Sequence, residues 1–210
     1  MPDTPQAAGA SESPAAAPAF SICVYCGSRA GAEPAYPKAA DAVGRWIGSH
    51  GGQLVYGGGN NGLMGRVADA TLASGGRVVG IIPQALMERE WAKTDCTELH
   101  VVATMHDRKR MMAERADAFL ALPGGVGTLE ELFEVWAWRQ LGYHDKPIGL
   151  LDTAAYWQPL WQLMQHTVAK GFVGEAQLGL VRLHADADVL LSGLVQDAGL
   201  TSNLRDPRLL

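Results

Sequence analysis

Short apolar runs alternate with longer stretches of helical spacing along almost the whole chain. The runs are FSICVYC (20–26), QLVY (53–56), RVVGII (77–82), ELHVVAT (98–104), AFLAL (118–122) and IGLLD (148–152). Helical patterns lie near 36–49, 62–75, 105–116, 128–142, 157–170 and 186–198. This alternation constrains the fold more than any other feature. A strand apolar at consecutive positions must be covered on both faces, and parallel strands need long crossover connections. The pattern predicts an α/β domain with a Rossmann-like, doubly wound parallel sheet. Sheets of that kind bind ligands outside the carboxyl ends of their strands. A chain of 210 residues can bury a core of this size, and no repeat or linker divides residues 20–200.

Composition narrows the function. Residues 1–19, rich in Ala, Pro and Ser, cannot bury enough surface to order and are expected to form a disordered leader; residues 201–210 are expected to be a loose tail. The leader lacks the basic start and apolar centre of a secretory signal. A net charge of −5 without a basic stripe argues against a nucleic-acid partner, and no apolar run is long enough for a membrane span. Three cysteines suit a reducing cytoplasm, where the protein is expected to reside. Cys23 and Cys26 form a C-x-x-C, but on a strand they face opposite sides and no second pair completes a zinc site, so their role reads as structural. The histidines form no H-E-x-x-H and no G-x-S-x-G elbow is present, so neither a metal nor a serine nucleophile is expected.

Two glycine loops follow strands. In YGGGNNGLMG (56–65), Gly57, Gly59 and Gly62 satisfy G-x-G-x-x-G. The dinucleotide fingerprint is incomplete, because the next strand ends in Pro83-Gln84 with no acidic residue and the loop follows the second strand, not the first. The glycines can equally serve a tight strand-to-helix turn. Ser28, Gly58 and Gly59 remain candidates for a subsidiary phosphate or ribose contact. The second loop, LPGGVGTLEE (122–131), carries Gly124, Gly125 and Gly127 into a helix start. Free N–H groups there hold phosphate, and Thr128 can add a hydroxyl. No lysine follows either loop in P-loop register, so the implied ligand is a phosphate-bearing molecule without an obvious triphosphate.

Two charged groups accompany these loops. Thr128-Leu-Glu-Glu131 reads as a T-x-x-E capping box, which would occupy Glu131 at its own helix terminus. Helical geometry offers another reading. Leu129, Leu132, Phe133 and Trp136 share a face expected to meet the sheet; Glu131, Val135 and Trp138 lie opposite, against a second subunit. A partly desolvated Glu131 would have its pKa raised toward that of a general base. In MHDRKRMM (105–112), Arg108, Lys109 and Arg110 are expected in the first turn of a helix, where cations oppose the macrodipole unless an anion is near. Arg110–Glu114 reads as an ordinary i,i+4 pair, and Met105, Met111 and Met112 as packing residues.

PGGVGTLEE (123–131), MHDRK (105–109), YGGGNNGLMG (56–65), VYCGSR (24–29) and IIPQALMERE (81–90) together resemble the "lonely guy" (LOG) family of cytokinin-activating phosphoribohydrolases. The likeness runs from about Ile22 to Leu151 and more loosely to about Gln196. It implies hydrolysis of the N-glycosidic bond of an N6-substituted adenosine monophosphate to free base and ribose 5-phosphate, with no cofactor. It also implies a homodimer with the active site near the subunit interface. Carried over by position, Arg108 and Glu131 would be catalytic. Glu90, Arg108, Lys109 and the loop Gly124, Gly125, Val126, Gly127, Thr128, Leu129, Glu130 and Glu131 would contact the nucleotide. Met87-Glu-Arg-Glu90 departs from the family, which often has proline in place of Glu88. The family also carries the label lysine decarboxylase. A pyridoxal enzyme needs a Schiff-base lysine with an acidic partner for the ring nitrogen, and Lys38, Lys93, Lys109, Lys146 and Lys170 stand in no such context. A general AMP or nucleotide nucleosidase and a non-catalytic nucleotide or phosphometabolite carrier are the alternatives.

Overall fold

The computed structural model describes residues 17–87 and 91–200. The leader through residue 16, the segment 88–90 that holds the candidate Glu90, and the tail 201–210 lie outside the described residues. Ala19, which composition groups with the leader, donates its N–H to the Gly51 carbonyl at 3.0 Å and packs on the core.

Among the described residues the strands are β1 (Ser21–Tyr25), β2 (Gln53–Tyr56), β3 (Arg77–Pro83), β4 (Glu98–Val102), β5 (Ala118–Ala121), β6 (Ile148–Leu151) and β7 (Val181–His184). All pair in parallel, in the order β4-β3-β2-β1-β5-β6-β7. The helices are α1 (Ala35–Ser49), α2 (Gly62–Ala73), α3 (Met105–Glu114), α4 (Val126–Gln140), α5 (Gln158–Ala169), the short α6 (Glu175–Leu178) and α7 (Ala187–Asp197). The six expected strands and six expected helices are all present, with ends shifted by up to two residues. The expectation missed β7 and α6.

Each face of the sheet carries its own apolar layer. Ile22, Val24, Leu54, Tyr56 and Leu120 face α1, α2 and α7. Cys23, Tyr25, Val55, Phe119 and Leu150 face α3, α4 and α5. Successive residues of β1 therefore enter different layers, and Cys23 and Cys26 are free thiols on opposite sides of the sheet. No helix among the described residues is long and apolar enough to cross a membrane.

Two details of helix placement differ from expectation. Helix α4 begins at Val126 with Gly125 as its N-cap and no side-chain cap bond. Thr128 is therefore the third helical residue and Glu131 the sixth, and the Thr128–Glu131 capping box does not form. The face that the helix buries differs as well. Thr128, Glu131, Leu132, Val135 and Trp136 are the buried face, while Phe133 is exposed. Glu131 and Val135 thus point toward the sheet side, not away from it. Helix α3 begins at Met105, with Thr104 as N-cap accepting the Asp107 N–H at 3.1 Å. The first turn is thereby acidic, and Arg108 and Lys109 fall in the second turn, where the macrodipole opposes them little. Arg110 forms its exposed pair with Glu114 at 3.0 Å.

Candidate active site

In the strand order, β2 lies on one side of β1 and β5 on the other. Connections leave these central strands in opposite directions, which opens a crevice at their carboxyl ends. A cavity of about 460 Å³ occupies that crevice, lined by the β1 exit from Cys26 to Gly31, the start of α2 at Leu63 and Met64, the loop Pro123–Thr128, and Tyr36, Arg108, Glu131 and Tyr156.

The two loops that frame it are locked together through glycine. The Gly27 N–H donates to the Pro123 carbonyl and the Leu63 N–H to the Gly27 carbonyl, each at 3.0 Å. A Cβ on Gly124 would stand 2.1 Å from Thr128 Oγ1 and 2.8 Å from the Gly27 nitrogen, so no other residue fits there without displacing the loop. Thr128 is buried against this backbone. Beyond it, α4 presents the N–H groups of its first turn, which a helix cannot satisfy internally.

Arg108 reaches the cavity from α3. Its Nε donates to the Ile81 carbonyl at 3.2 Å and its Nη2 to the Gly57 carbonyl at 3.1 Å. Its Nη1 lies 3.9 Å from Glu131 Oε1. Both side chains are almost fully buried. Removing charges from water is costly unless they are paired and hydrogen-bonded, and the carbonyl acceptors and the carboxylate meet that need for Arg108. Cys26, also on the wall, remains a neutral thiol, because burial and then the Glu131 carboxylate push its pKa up.

The other candidates divide. Ser28, Gly124, Gly125, Val126, Gly127 and Thr128 line the cavity. Lys109, Leu129 and Glu130 do not. Lys109 instead bridges α3 to α4, with its Nζ 2.5 Å from Glu130 and 2.9 Å from Glu134. Burial opposes its charge, but the two carboxylates outweigh burial and raise its pKa. Gly58 and Gly59 also stand off the cavity. Their backbone pairs with residues 91–93, through a bond from the Lys93 N–H to the Gly58 carbonyl at 2.9 Å and a bridge from Gly59 to Ala92. The sequence does not single out Tyr36, Met64 or Tyr156 as lining residues: Tyr36 and Tyr156 lie in no motif, Met64 follows the glycines of its loop, and only the approach of α1, α2 and the β6–α5 turn brings them together. The chain's five lysines are all described and none lines the cavity, so the residues present do not fit a pyridoxal cofactor there.

Comparison with known proteins identifies the relatives of this chain. A family profile described as "possible lysine decarboxylase" matches residues 64–194. The chain is 49% identical over 152 residues to the "probable cytokinin riboside 5'-monophosphate phosphoribohydrolase LOGL1" of Oryza sativa subsp. japonica, covering 72% of this chain and 68% of that protein. It is also 49% identical over 152 residues to "cytokinin riboside 5'-monophosphate phosphoribohydrolase LOG1" of Arabidopsis thaliana, covering 72% and 71%. Among solved structures, the Moco carrier protein of Chlamydomonas reinhardtii superposes with a TM-score of 0.64 at 22% identity, covering 86% of this chain and 98% of that one; this likeness is one of fold alone. The chain belongs to the LOG family.

Proposed function

We propose that the protein hydrolyses the N-glycosidic bond of N6-substituted adenosine 5'-monophosphates, releasing free base and ribose 5-phosphate. The observation that carries this reading is the placement of a buried Arg108–Glu131 pair in the same cavity as the glycine loop that opens α4. The names of the relatives support the substrate class.

In this reading the 5'-phosphate docks on the first-turn N–H groups of α4, where donors and helix dipole both favour an anion. Cleavage of the C1'–N9 bond leaves positive charge on the ribose, as in glycoside hydrolysis. The Glu131 carboxylate stabilises that charge and takes a proton from the water that attacks C1', while the purine leaves with the bonding electron pair; the proton held by Glu131 then passes to the departed base, which restores the carboxylate. Arg108, held by two carbonyls and close to Glu131, orients the carboxylate. A desolvated site strengthens each of these interactions. A carrier of nucleotides would use the loop but has no need of the Arg108–Glu131 pair.

We further propose a cytoplasmic homodimer with the cavity close to the interface. Val126, at the start of α4 on the cavity wall, and Phe133, two turns along it, are exposed large apolar residues. Sedimentation at the mass of two chains is the expected result; a monomer at assay concentration would contradict it. The activity itself is tested by incubation with N6-isopentenyladenosine monophosphate. Free base and ribose 5-phosphate in equal amounts are expected, faster than from AMP. Bound but intact nucleotide would support the carrier, and equal or faster release from AMP the general nucleosidase.

A further inference from the structure

The turn after β6 holds two consecutive non-glycine residues, Ala154 and Ala155, in the left-handed region at φ 52° and 58°. Residues with a Cβ avoid this conformation, and it persists only where surrounding contacts enforce it. The enforcing contacts are present. Asp152 accepts from the Trp157 N–H at 2.8 Å and from Gln158 Nε2 at 2.5 Å, and its own N–H donates to the His184 carbonyl at 2.9 Å. Trp157 is buried.

What this strained turn delivers is Tyr156. Its ring lines the cavity and its hydroxyl donates to the Gly124 carbonyl. Trp157 and Tyr36 of α1 both meet the ring edge-on, with centroids 5.0 Å and 5.8 Å away. Tyr36 fits there because Gly31 lacks a Cβ, which would stand 2.6 Å from the tyrosine ring. The Gly124 carbonyl and the Gly125 N–H belong to one peptide unit, and Gly125 is the N-cap of α4. With glycine on both sides, that unit is conformationally the loosest link of the loop.

We propose that Tyr156 is a positioning residue. Its phenol fixes the plane of the Gly124–Gly125 peptide, so that the N–H groups at the start of α4 are aimed into the cavity before an anion arrives. Preordering of this kind lowers the cost of binding. A hydrogen bond to the Gly124 carbonyl also polarises the peptide and strengthens its N–H as a donor. The proposal rests on the reading of this loop as the phosphate site.

The test is Tyr156→Phe in the full chain, which keeps the ring and its aromatic contacts and removes the hydroxyl. Affinity for inorganic phosphate and for ribose 5-phosphate is measured by calorimetry, beside steady-state kinetics on the nucleotide monophosphate. Loss of one uncharged hydrogen bond corresponds to a change of about fivefold. The expected result is phosphate affinity lower by about that factor, KM higher to match, kcat within about twofold and a melting temperature without ligand lower by no more than about 4 °C. Unchanged phosphate affinity would overturn the proposal, as would a fall in kcat at constant KM. Phosphate binding reads the brace without turnover. A wild-type chain that binds phosphate and releases no base would overturn the hydrolase reading and leave this comparison intact.

Discussion

Arg108 owes its position to an atom that is missing elsewhere. A Cβ on Gly57 would lie 1.9 Å from Arg108 Nη2, so the guanidinium can reach the Gly57 carbonyl only because residue 57 is glycine. The clash falls on the end of a flexible side chain, not on backbone. Gly57→Ala should therefore still fold, with a thermal midpoint lowered by the loss of Arg108's carbonyl acceptors, and lower kcat by about 10²-fold, the scale of losing one preorganised donor. Stability and turnover measured on one preparation check this; wild-type kcat would show that the arginine's seat does not matter. The chemical types at the site were legible in the sequence: an arginine and a glutamate beside a glycine loop. The purpose of Gly57 was not, because it looks like part of a dinucleotide fingerprint and the residue it makes room for lies 51 positions away.

Among the elements, α4 carries most of the function, and its start was the least legible part of the site. Thr128 and Glu131 have the spacing of a capping box, and nothing local tells Gly125 from Thr128 as the N-cap. The difference lies in packing, since Thr128 is buried over Gly124. The apolar runs found the central strands because both faces are covered, whereas β7 reads poorly because only Val181 of its four residues is buried. Helix α4 is also tied to α3 by Lys109, whose ammonium sits between Glu130 and Glu134. Lys109→Met would leave two carboxylates facing each other at i,i+4. The expected loss is about 1–2 kcal/mol, below that for a fully buried pair because Glu130 is half exposed. Urea unfolding measures it, with no change in the slope against denaturant; a stability equal to wild type would show that the bridge is inert.

For the whole molecule, the site follows from topology. The order β4-β3-β2-β1-β5-β6-β7 makes β1 and β5 the switch point, and the alternating pattern already implied a crevice at the carboxyl ends. It could not say which strands would frame the crevice, because order depends on pairings between distant segments. Stability of the fold should depend on pH through His144. Burial lowers its pKa from 6.5, against the opposing effect of its bond to the Val135 carbonyl at 2.9 Å, and its Nδ1 is buried without a partner. The unfolded chain thus takes up a proton below pH 6.5 that the folded chain refuses. The stability that the neutral ring contributes is whole above that pH and is lost as pH falls toward the lower folded value. Thermal midpoints at about pH 7.5 and about pH 5.5 should show the fall, and His144→Gln should flatten it. A variant with the wild-type slope would place the titrating group elsewhere.

The central claim is that Glu131 performs chemistry and does not cap a helix. Because Gly125 is the N-cap of α4, Glu131→Gln leaves the helix terminus as it is. The account predicts that this variant folds, with a melting temperature lowered by the loss of Arg108's counter-charge, and keeps its affinity for phosphate, while kcat for N6-isopentenyladenosine monophosphate falls by about 10²- to 10⁴-fold. Turnover near the wild-type rate from a folded Glu131→Gln protein would contradict it.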